Sequence, residues 1–156
     1  MNIKYFIIAI TMLGVSCKSS DNQENLDKTN YEQEKNDLNS QQSEILSVEI
    51  AAITRGHREN ISITPEKMEF YSTQEKLTKE IDKKEWENLI SEINAVGLET
   101  IPSYKAPTEK RLYDGDLATT LTIKTKDATY QSQTFDKKTP PKELVEIVNT
   151  VYGFKE

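Results

Sequence analysis

Few residues of this chain could do chemistry, and they fall into four groups. Its single cysteine, Cys17, follows a short apolar run and the small residue Ser16, which places the thiol for lipid attachment at a processed N-terminus. Its single histidine, His57, lies between Arg55 and Arg58, a basic cluster suited to a carboxylate, a phosphate or an acidic glycan. Residues 99–116 carry Lys105, Lys110 and Arg111 together with Tyr104 and Tyr113, a mixture fit for contact with a partner. Glu109, Asp114 and Asp116 could offer oxygens to Ca²⁺, although they lack the ligand spacing of an EF-hand.

What these groups exclude is equally informative. One cysteine permits no internal disulfide, and once acylated it leaves no thiol for redox or nucleophilic work. A lone histidine removes the usual His/His and Cys/His metal sets and leaves an acid/base role without an obvious partner. No Gly-x-Ser-x-Gly, His-Glu-x-x-His or paired-carboxylate pattern is present. No catalytic residue, metal ligand or cofactor is therefore expected. The formal net charge is -6, and removal of residues 1–16 takes away Lys4 and leaves -7. That balance disfavours nucleic acid, whose binding rests on lysine and arginine against phosphates.

The start of the chain decides where the remainder folds. Lys4 forms a positive n-region, and Tyr5 to Val15 form an apolar run of signal-peptide length, shorter than the ~20 residues of a spanning helix. The segment LGVSC resembles the bacterial lipobox, with Leu13 one position further from Cys17 than the strict pattern and Gly14 in its place. The resemblance implies cleavage before Cys17 and diacylation of its thiol. An ordinary secretory signal and a retained anchor are the alternatives. The expected location is the cell envelope, lipid-anchored in the outer membrane, facing either the periplasm or the exterior. The expected organisation is a signal peptide over 1–16, the lipidated cysteine with a polar tether over 17–43, and one globular domain over 44–156. The tether offers only Leu26, Tyr31 and Leu38 as sizeable apolar groups, too few to offset chain entropy. A marginal charged helix is its alternative reading.

Within 44–156, hydrophobic period and punctuation predict the elements. Leu46, Val48, Ile50 and Ala52 alternate with polar or small residues, and Ile61 and Ile63 continue the pattern after a turn through Arg55 to Asn60 containing Gly56, predicting a hairpin. Met68 and Phe70 predict a third strand, and Leu77 with Ile81 a short edge strand. Asp82 with Glu85 forms a capping box that opens a helix with Trp86, Leu89, Ile90, Ile93 and Val96 on one stripe, Trp86 in the core, and Gly97 closing it. Leu117 to Thr125 and Ala128 to Phe135 predict a second hairpin. Thr139 is the expected N-cap of a second helix with Pro140 and Pro141 in its first turn, closed by Gly153 and Phe154. The expected fold is α+β: an antiparallel sheet of about five to six strands with two helices on one face, in the order β-β-β-(β)-α-β-β-α.

Thr54, Arg55 and Gly56, then Lys105 to Arg111 with Tyr113, Asp114 and Gly115, then Phe135, Asp136, Pro140 and Pro141 resemble a group of small uncharacterised bacterial lipoproteins. The likeness runs from about Val48 to Phe154 and implies no activity, cofactor or fold. The expected function is that of a membrane-anchored, non-enzymatic binding module, held to the membrane by its N-terminal lipid. Its partner is a protein or an anionic ligand met through residues 99–116, with Arg55 and Arg58 as further contacts. A loop of this length without its own periodicity is usually functional or mobile, and a crossover packed on the sheet is the alternative. A protease inhibitor presenting Lys105, Lys110 or Arg111, and a hydrolase built on acidic pairs, are the remaining alternatives.

Overall fold

A computed structural model describes residues 43–156. The signal peptide, Cys17 and the tether up to residue 42 lie outside the described residues. Four strands come first: β1 Ile45–Thr54, β2 His57–Ile63, β3 Lys67–Ser72 and β4 Lys76–Glu80. Helix α1, Lys83–Val96, follows, then two 3-10 turns at Leu98–Ser103 and Lys110–Tyr113. Strands β5 Ala118–Thr125, β6 Thr129–Gln131 and β7 Phe135–Asp136 precede a 3-10 turn at Lys142–Leu144 and helix α2, Val145–Gly153. The sheet is antiparallel and seven-stranded, in the order β4-β3-β2-β1-β5-β6, with β7 also paired to β5. The domain is of the α+β class.

One apolar cluster unites the layers. Val48 and Ile50 of β1, Ile61 and Ile63 of β2, Met68 and Phe70 of β3, and Leu121 and Ile123 of β5 alternate with more exposed neighbours. That is the period-two signature of a sheet with one face in the core. Leu89 and Ile93 of α1 and Ile147, Val148 and Val151 of α2 join the same cluster. Helix α1 begins as expected: the Asp82 carboxylate accepts the Glu85 amide at 2.8 Å, and the Glu85 carboxylate accepts the Asp82 amide at 2.9 Å. At its end Gly97 adopts φ +84°, a conformation that a Cβ would strain, while its amide donates to the Ile93 carbonyl at 3.0 Å.

Five expectations from the sequence need correction. The sheet has seven strands rather than five or six. The pairing of β1 with β5 shifts register between Ile45 and Ser47, so Ile45 is buried and Leu46, expected inside, is exposed. A bulge shifts the alternation by one residue. The strand predicted over Ala128 to Phe135 is interrupted, because the Ser132 hydroxyl accepts the Leu121 amide at 3.0 Å in place of a backbone carbonyl. The chain leaves the ladder there and re-pairs as β7. Thr139 is not a helix cap; it bridges to Asp136, and the two prolines hold the chain extended before the turn at Lys142. Finally, Trp86 only half-buries its indole at the margin of the cluster, the centre being filled by Leu89 and Ile93.

Candidate functional site

Residues 104–116 are shaped by three carboxylates. Asp136 is completely enclosed at the start of the connection to α2. Its Oδ2 accepts the Lys110 amide at 2.8 Å and the Thr108 hydroxyl, and its Oδ1 accepts the Arg111 amide at 2.9 Å. The Arg111 guanidinium adds a contact at 3.3 Å and also donates to the Thr108 carbonyl at 2.6 Å. Burial alone would raise the Asp136 carboxyl, but the Thr108 hydroxyl, the two amides and the guanidinium outweigh it and hold it at about 2. The carboxylate thus serves as the anchor of the Lys110–Tyr113 turn.

Asp114 closes that turn from the other side. It takes the left-handed conformation at φ 59° and accepts the Thr54 hydroxyl at 3.3 Å and Arg55 Nε at 3.2 Å. The first hairpin turn and the long loop therefore meet at one end of the sheet. Gly115 is required by this packing: a Cβ there would lie 2.9 Å from the Tyr113 ring and 3.1 Å from the Lys110 carbonyl. Asp116 accepts the amides of Leu117 at 2.8 Å and Lys138 at 3.1 Å, tying the loop's exit to the segment after β7. Of the acidic residues considered as calcium donors, Asp114 is engaged by Thr54 and Arg55 and Asp116 by backbone amides, while the Glu109 side chain is exposed. Among the described residues no group of three His, Cys, Asp or Glu side chains is placed to hold a metal ion.

The anchored turn holds apolar surface out to solvent. Leu112 is 70% exposed and Tyr113 72% exposed, the largest exposures among the bulky apolar residues described. Lys110 of the same turn and Lys105 upstream are exposed, and the Arg55 side chain is 92% exposed despite its contact with Asp114. Two residues of the predicted contact set are used internally instead. Arg111 is only 14% exposed against Asp136, and Tyr104 is half-buried with its hydroxyl donating to Thr100 Oγ1 at 3.0 Å. Arg58 stands apart on β2, exposed, opposite Ile53 of β1. Sequence reasoning missed Leu112, which belongs to no periodic run, and Asp136, whose partners lie far upstream.

A second polar cluster lies under the same end of the sheet. Glu59 of β2 receives Lys137 Nζ, the Tyr152 hydroxyl at 3.0 Å and His57 Nε2 at 3.5 Å. Lys137 also sits 4.7 Å from the centre of the Tyr152 ring. Burial pushes the Glu59 carboxyl up, but Lys137, Tyr152 and His57 prevail and keep it below its ordinary value. Burial and the Glu59 charge push the Tyr152 phenol up, so it stays a donor. The cluster's acid and base saturate one another, and its effect is to fasten α2 and the β7–α2 connection to β2. Comparison with known proteins finds no matching family and no significant similarity to a curated protein or to a solved structure.

Proposed function

We propose that the chain is an exported, non-enzymatic binding module that meets its partner through the Lys110–Tyr113 turn. The observation that carries this reading is the contrast between Asp136 and the two residues it supports. A buried carboxylate with four donors fixes a turn whose side chains, Leu112 and Tyr113, stay in water. A turn whose backbone is fixed in advance loses less entropy when a partner covers the aromatic and aliphatic pair it presents, which suits an interface anchor. Lys110 and Arg55 flank it and favour an acidic partner.

The lipid anchor belongs to this reading on the residues of the N-terminus alone: acylation at Cys17 would place the domain at the end of a tether on the outer membrane. The two helices are read as covering one face of the sheet, supported by the shared cluster of strand and helix residues. The inhibitor reading fits the geometry less well. Arg111 is spent on Asp136, and Lys110 sits in a helical turn, whereas a protease pocket takes an extended chain.

Photo-crosslinking from position 113 of the full chain in its native envelope tests the proposal. Adducts with defined proteins, lost when Leu112→Ser is added, are expected. Adducts only with bulk lipid, or a pattern unchanged by Leu112→Ser, would remove the turn from any interface.

A further inference from the structure

Beside the anchored turn, the side of β1 and β2 turned away from the core holds a hollow of about 320 Å³, lined by Ala51, Ala52, Ile53, Arg58, Glu59 and Asn60. The strand register explains its shape. Ala51 stands between Asn60 and Thr120, and Ile53 between Arg58 and Ala118. Small side chains at 51, 118 and 120 leave a trough, walled by Ile53, 45% exposed, and continued past Asn60 by Tyr71, 55% exposed. Ala52 and Glu59 turn inward and are buried, so they contribute only the floor's backbone.

The charges around the trough are uneven. Arg55 is matched by Asp114, and Glu49, the nearest acid along the row, accepts from the Asn60 amide on the far side of the trough. The Arg58 guanidinium has no ion pair among the described residues and stands at the rim. An apolar depression with one uncompensated, forked cation selects a ligand that pairs one carboxylate with an adjacent apolar group. A phosphate dianion would call for several donors, and an acidic chain of net charge -6 gains nothing from a flat anionic bilayer.

We propose that this trough receives an extended segment of the partner protein in which an aspartate or glutamate adjoins an aliphatic or aromatic residue. The apolar side chain lies over Ala51 between Ile53 and Tyr71, and the carboxylate pairs with Arg58. This rests on the binding-module reading and names its partner's chemistry. The trough and the exposed turn are neighbours, since Thr54, which ends β1, and Arg55, which follows it, are the residues that hold Asp114.

An array of positional-scanning heptapeptides probed with the full chain tests it. The expected result is enrichment of Asp or Glu next to Leu, Ile, Phe or Tyr. Ala51→Leu, which fills the trough, and Arg58→Glu should each weaken the selected peptides about tenfold, the factor that corresponds to about 1.4 kcal/mol. Ala51→Ser should retain binding, and circular dichroism of each variant shows that the fold is intact. Absence of selection, or selection that survives both substitutions, overturns the proposal. So does loss in Arg58→Glu with no change in Ala51→Leu, which marks a contact of charge alone. Binding of phosphatidylglycerol vesicles in place of any peptide also overturns it. The crosslink from position 113 can succeed while the array fails, so the trough can be rejected with the exposed turn retained.

Discussion

Asp136 and Arg111, 25 residues apart in sequence, are joined twice: by the Arg111 amide at 2.9 Å and by its guanidinium at 3.3 Å, both on Oδ1 of an enclosed carboxylate. Because the second oxygen is taken by Thr108 and the Lys110 amide, one side chain holds the start of the Lys110–Tyr113 turn. Asp136→Asn should therefore cost about 2 to 4 kcal/mol, since an amide nitrogen would face donors and leave Arg111 unpaired. Urea denaturation measures the loss. Hydrogen exchange at the Lys110 and Arg111 amides should accelerate more than exchange in β1, and equal acceleration everywhere would show that the anchor is not local.

The same carboxylate sets a pH window. Its folded value, about 2, lies below the ordinary 3.8, so its contribution is complete above about 4 and is lost as pH falls through about 2. Glu59, also depressed, adds loss in the same direction as its carboxyl protonates. Wild-type stability should fall between pH 4 and pH 2, as followed by circular dichroism. Asp136→Asn should flatten that slope, and an unchanged slope would assign acid unfolding to other carboxylates.

At the second cluster, the Tyr152 hydroxyl and Lys137 share Glu59. Tyr152→Phe keeps the ring beneath Lys137 and removes one hydrogen bond, for an expected cost of about 1 kcal/mol. Lys137→Met deprives the buried carboxylate of its cation and should cost about 3 kcal/mol. A double-mutant cycle should show coupling between the two positions, and strict additivity would mean that they stabilise α2 independently.

Helix α1 separates a buried pair from a marginal indole. Leu89→Ala and Ile93→Ala should each cost about 2 to 5 kcal/mol, whereas half-exposed Trp86→Ala should fall below that of Leu89. Native tryptophan emission should lie between the buried and fully exposed extremes. A strongly blue-shifted maximum would place Trp86 deeper than the packing shown here.

If Cys17 is acylated as proposed, the wild type should behave as a salt-resistant, detergent-extracted membrane protein and Cys17→Ser as an uncleaved precursor or a soluble species. Two acyl chains give stable attachment, at about 0.8 kcal/mol per buried CH₂, and the acidic chain has no charge attraction to replace them. Mass spectrometry of the N-terminal peptide decides it, and an unmodified peptide starting elsewhere would remove the anchor.

The sequence by itself determined what near neighbours in the chain can impose. Asp82 and Glu85 lie three residues apart, so the capping box and the start of α1 were legible. Alternation at Val48, Ile50 and Ala52, at Ile61 and Ile63, and at Leu121 and Ile123 assigned the inward face of each strand. Tertiary structure alone decided the features whose partners are remote. The Ser132 hydroxyl competes for the Leu121 amide and splits one expected strand into two. Trp86 packs only at the margin of the cluster, where Leu89 and Ile93 of the same helix are fully buried. The loop over 99–116 has no period from which its form could be read: Asp136 holds Thr108, Lys110 and Arg111, Asp114 is held by Thr54 and Arg55, and Asp116 accepts the Lys138 amide. Leu112 and Tyr113 are exposed for the same reason. Local hydrogen bonding and hydrophobic period act over a few residues and are written in order along the chain, whereas a buried carboxylate takes whichever donors the finished fold brings to it.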